Sequence, residues 1–103
     1  MATIGYVRKN GEGFTGTLKT LSINAPIEIR HNASPASDKA PDYLVYSGNV
    51  ELGAGFTRTG RTSGKEYVSI KLEAPEFGTI WANLGRAAGQ DDDDTFALIW
   101  NPN

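Results

Sequence analysis

Apolar residues in this chain recur with a period of two, in short segments cut apart by glycine and proline. That alternation excludes helical folds at the outset. Twelve glycines and five prolines punctuate the 103 residues. Between them lie stretches rich in Thr, Val, Ile and aromatics, and none sustains a 3.6-residue period over about a dozen residues. Leu84 to Gln90 has room for one helical turn.

Thr3 to Lys9 reads as a first strand, closed by Asn10-Gly11-Glu12-Gly13. Asn-Gly is a strong hairpin signal because both residues tolerate positive φ. Phe14 to Asn24 then alternates, with Phe14, Gly16 and Leu18 on one face and Leu21 and Ile23 on the opposite parity. The switch near Thr20 predicts a bulge, or a strand crossing between sheets. Ala25-Pro26 is expected to interrupt, with alternation resuming over Ile27 to Arg30. Residues 32–42 have loop composition. Further strands are predicted over Tyr43 to Tyr46, Asn49 to Thr59, Glu66 to Leu72, Thr79 to Leu84 and Thr95 to Trp100. In the Glu66 segment Val68, Ile70 and Leu72 face one way, and Tyr67, Ser69 and Lys71 the other. The expectation is one all-β domain over residues 1–103, a small antiparallel barrel or two-sheet sandwich of six to eight strands. Most of the ten aromatics are needed to fill its core, with Tyr67 and Trp81 the expected exceptions.

Composition narrows the function classes. The absence of cysteine excludes disulfides and thiolate metal sites. No apolar run approaches the roughly 20 residues of a spanning helix. The N-terminus lacks the charged and apolar regions of a signal peptide, so a cytoplasmic location is expected. A net charge of −2 conceals an asymmetry, because four of the twelve acids are consecutive, Asp91 to Asp94. Without them ten bases face eight acids, and the remainder is slightly basic.

Several pieces, in order, carry a family resemblance: Met1-Ala2-Thr3-Ile4-Gly5, Gly13-Phe14-Thr15-Gly16, Lys39-Ala40-Pro41-Asp42-Tyr43 and Val50-Glu51-Leu52-Gly53-Ala54. Tyr67 to Leu72, Ala82-Asn83-Leu84 and Leu98-Ile99-Trp100 continue it. On these the chain resembles the uncharacterised bacterial family catalogued as domain of unknown function 736. Phe56 stands where that family prefers tryptophan. The resemblance implies no activity, cofactor or catalytic residue. It implies an accessory role in plasmids and integrating elements, handling DNA or countering a host defence.

Motif by motif, catalysis finds little support. His31 is the single histidine, placed at a strand end, and no cysteine is present to serve as nucleophile. Gly60-Arg61-Thr62-Ser63-Gly64-Lys65 is one residue short of a phosphate loop, with Glu66 where a Ser or Thr would ligate magnesium and a strand where a helix would begin. Asp91 to Asp94 lacks the spaced oxygens and mid-loop glycine of a calcium site. A non-enzymatic protein without cofactor or metal is expected.

Two features remain. The acidic run Asp91, Asp92, Asp93 and Asp94 is expected to meet a protein partner with a basic surface, making the chain an inhibitor of a host defence complex in the manner of an anti-CRISPR protein. The alternative is a nucleic-acid-binding accessory protein. It would use the hairpin bases Arg58, Arg61 and Lys65 for phosphate and the exposed Tyr67 and Trp81 for stacking.

Overall fold

The structure, a computed structural model, describes residues 3–33, 40–60, 64, 66–86 and 94–101. Its strands are β1 (Thr3–Asn10), β2 (Gly13–Lys19), β3 (Asn24–His31), β4 (Tyr43–Ser47), β5 (Val50–Thr59), β6 (Glu66–Ala74), β7 (Gly78–Arg86) and β8 (Thr95–Asn101). Each pairs antiparallel with the next, and β8 returns to β1, so eight strands close a barrel. Closure gives every strand a partner on both sides, though not along its whole length. Of the two architectures anticipated, the barrel is the one formed.

The turns follow the residues. Gly11 and Gly48 take φ of 63° and 61°, and Gly78 takes 73° at the β6–β7 turn. Two local expectations are corrected. The parity switch near Thr20 is neither bulge nor crossing: β2 ends at Lys19, and a tight turn follows. There the Thr20 N–H donates to the Ile23 carbonyl at 2.8 Å, and the Ile23 N–H to Thr20 Oγ1 at 3.2 Å. Ala25-Pro26 does not interrupt; it lies within β3, with Pro26 opposite Thr17. The β3–β4 ladder begins only at Glu28, so Pro26 sits where β3 has a neighbour on one side and a missing donor is tolerated.

Inward-facing Val7, Ile29, Val45, Ile70, Leu72 and Leu98 are buried almost completely and fill the barrel. Each such side chain contributes about 1.5–3 kcal/mol relative to exposure. Above them Phe14 meets Phe96 edge-on, with ring centroids 5.4 Å apart, and Tyr43 at 6.1 Å. A small barrel also needs strands that approach closely. Gly53 lies between Val45 and Leu72 across its two ladders, where a Cβ would run into the Lys71 carbonyl. The neighbouring irregularity between Val45 and Tyr46 lets Leu52 turn inward as well.

Because each strand connects to the next, connections alternate between the two ends. Those after β1, β3, β5 and β7 share one end, called the rim below. Asp42 fastens the rim: its N–H donates to the Gly55 carbonyl, and its Oδ2 accepts from the Thr57 N–H at 2.8 Å. The Lys9 N–H donates to the Asp94 carbonyl, also at 2.8 Å, where β8 meets β1.

Candidate nucleic-acid interface

On β6 the buried Ile70 and Leu72 face inward, so Tyr67, Ser69, Lys71 and Glu73 face out. Register then determines their neighbours. Arg58 lies opposite Tyr67 and Phe56 opposite Ser69 on the β5 side. Asn83 lies opposite Ser69 and Trp81 opposite Lys71 on the β7 side. Three aromatic side chains and two bases therefore share one patch of outer wall, spanning three adjacent strands.

Ser69 marks the centre of this patch. It faces out of the barrel and yet is only 6% exposed, sunk among its larger neighbours. Tyr67 remains 36% exposed, and Phe56 and Trp81 are half-buried, each keeping part of its ring at the surface. The cations stand against the rings: Lys71 Nζ is 5.7 Å from the Trp81 centroid and Arg58 Cζ is 5.6 Å from that of Phe56. Cation–π contact of this kind holds a flexible base in place at a cost well below that of a buried charge. Lys71 Nζ also lies 3.5 Å from Glu73 Oε1, a surface ion pair of little energetic weight.

A second stack lies on the adjoining β3 and β4, where Arg30 sits 4.4 Å above the Tyr46 ring and pairs with Glu28.

The rim has its own polar cluster. His31 Nδ1 is 3.5 Å from Glu12 Oε2, and the imidazole meets Tyr43 edge-on at 5.7 Å. Burial pushes the Tyr43 phenol above its ordinary value, and the negative charges of Asp42 and then Glu12 push it further. Among the described residues no three of His, Asp and Glu come together to hold a metal ion.

The residues singled out from sequence are now placed. Arg58, Tyr67 and Trp81 come together on the one face. Arg61 and Lys65 lie outside the described residues, as do Asp91, Asp92 and Asp93. Asp94 is exposed at the rim, on the same end as the β5–β6 connection, so the basic and acidic segments attach to one end of the barrel. Phe56 and Lys71 escaped notice as site residues. Their parity with Arg58 and Tyr67 was the available signal.

Tyr6 and Trp100, expected in the core, are 56% and 42% exposed. Tyr6 alternates regularly with the buried Val7 and so faces out, while the register shift between Thr3 and Gly5 lets Ile4 turn inward as well.

Neither the curated proteins nor the solved structures contain a match to the chain. The family described as "Protein of unknown function (DUF736)" matches residues 3–103, nearly the whole chain, and the chain belongs to that family.

Proposed function

We propose that the protein binds single-stranded nucleic acid on the outer face of β5–β7, as an accessory protein of a mobile element. The observation that carries this reading is the joint placement of Phe56, Tyr67 and Trp81 with Arg58 and Lys71 on one outward face. Aromatic faces accept any base by stacking, and neighbouring cations follow the phosphates. A duplex hides the faces of its bases, so rings standing on a convex wall suit unpaired strands. The acidic run offers no comparable geometry, since three of its four residues lie outside the described chain.

Trp81 supplies the test. In a Trp100→Phe background it is the only tryptophan left, and its fluorescence should be quenched on titration with oligothymidylate at low salt. Duplex DNA of equal length should quench less. A chain that binds neither, at ionic strengths down to about 20 mM, where screening is weak, would lack this function. A protein recovered with the tagged chain after nuclease treatment would then point to protein contact instead.

A further inference from the structure

The outer wall is divided by charge. Outward positions of β3, β5 and β6 include Glu28, Glu51 and Glu73. Those of β7, β8, β1 and β2 include no carboxylate: Trp81, Asn83 and Gly85 are followed by Ala97 and Ile99, then Tyr6 and Arg8, then Thr15, Thr17 and Lys19. This acid-free wall begins at the Lys71–Trp81 pair and ends in a hollow of about 610 Å³ over β1 and β2.

The hollow has the chemistry of the first patch in a second place. Tyr6 stands beside it, more than half exposed. Arg8 and Lys19 supply positive charge and Thr15 and Thr17 supply hydroxyls, while among the described residues no Asp or Glu lines it. The Arg8 Nη1 donates to Thr95 Oγ1 at 3.5 Å, which directs the guanidinium along the wall toward β8. Glycine makes the floor: at Gly16, opposite Val7, a Cβ would collide with the Tyr6 carbonyl.

Between the two places the surface is small and uncharged. Ala97 is 3% exposed, and the Ile99 Cδ1 lies over Gly85, 3.0 Å from where its Cβ would be. Trp81 is opposite Asn101, and Tyr6 is opposite Ala97, so the two rings are separated by two strand spacings and four residues of β8. That is about 16 Å along the wall. Small barrels occupy about 4–16 nucleotides of a strand, so one strand can reach both.

We infer that the β1–β2 hollow is a second subsite for the same strand, in which Tyr6 stacks a base while Lys19 and Arg8 hold its phosphates. This inference rests on the β5–β7 reading and extends it from a local patch to a path across the barrel. It makes the bound length, and not base identity, the determinant of affinity.

Oligothymidylates of about 4 and about 16 nucleotides separate the two statements. The double variant Tyr6→Thr, Lys19→Gln keeps a good strand former at position 6 and should melt with the wild type. It should bind the short oligonucleotide as the wild type does and the long one about tenfold more weakly. Trp81→Ala should weaken both. If the double variant binds the long strand as tightly as wild type, or loses equally on both lengths, the hollow is not a second subsite, whatever the β5–β7 face does. If wild type binds neither length, both readings fall together.

Discussion

Lys71 stands directly opposite Trp81 across the β6–β7 ladder, with its ammonium 5.7 Å from the indole centroid. The pair does two things at once. It holds the lysine stem along the ring and so covers part of an exposed apolar surface. It also places a positive charge within reach of the phosphate attached to any base that stacks on the indole.

Replacing Trp81 by alanine should therefore weaken single-strand binding by about 1–3 kcal/mol, which is the usual contribution of one aromatic platform. Stability should change much less, since the ring lies outside the barrel. Fluorescence anisotropy of a labelled oligonucleotide, beside a urea melt, separates the two effects. A large loss of stability with unchanged binding would make Trp81 a packing residue only.

Salt dependence reports how many cations touch phosphate. With Arg58, Lys71, Arg8 and Lys19 engaged, log Kd against log salt should have a slope near 3, at about 0.7 per contact for single strands. Lys71→Gln should lower that slope by roughly one contact's worth, about 0.7. A slope unaltered by the substitution would remove Lys71 from the interface.

Much of this face was legible beforehand, and the reasons are local. The alternation Tyr67, Ser69, Lys71 against Val68, Ile70, Leu72 is uninterrupted, so parity alone told inside from outside. Where the strand deviates, parity failed. The irregularity between Thr3 and Gly5 puts Ile4 on the same side as Val7 and leaves Tyr6 outside, and no residue type there announces it. Pro26 read as a break because proline lacks a donor. That β3 has a single neighbour at this point depends on where β4 starts pairing, which is a tertiary fact. The choice of barrel over sandwich was likewise invisible, since it depends on β1 meeting β8, the pairing most distant in sequence.

Gly53 tests the close approach of strands on which closure depends. A methyl group there meets the Lys71 backbone carbonyl, which cannot rotate away as a side chain would. Gly53→Ala should cost about 1–3 kcal/mol or more, in line with overpacking elsewhere. In a chain of this size that is a fall in Tm of at least about 4 °C. Gly48→Ala at the β4–β5 turn, where nothing lies within 4 Å but φ is +61°, should cost less, on the order of 1 kcal/mol. Equal losses at both positions would show that the strands part around the added methyl group at little cost.

Tyr43 predicts how stability depends on alkaline pH. Its phenol is raised above the ordinary 10.0, first by burial and then by Asp42 and Glu12. Below that ordinary value both folded and unfolded chains keep the proton, and the full stability is present. As pH rises past it the unfolded chain ionises first, so stability falls until the folded phenol ionises too. Tyr43→Phe removes this loss. Urea midpoints of the two proteins should run parallel to about pH 9 and then diverge, wild type falling faster. Parallel curves throughout would mean that Tyr43 ionises alike in both states.

The acidic run bears on how a strand approaches. Asp94 is exposed at the rim, where its carbonyl accepts the Lys9 N–H beside Arg8, so the run joins the barrel next to the acid-free wall. Asp94 and the three carboxylates that precede it in sequence add negative charge that opposes the approach of phosphate. Exposed charges act over about 10 Å at 0.1 M salt, and over about 30 Å at 0.01 M. Changing Asp91 to Asp94 together to Asn should therefore accelerate association with oligothymidylate several-fold at low salt, with the gain fading as salt rises. Stopped-flow quenching of Trp81 measures it directly. If association is unchanged at every salt concentration, the run stands away from the path of the strand. Slower association with a protein captured after nuclease treatment would instead assign the run to a basic partner surface.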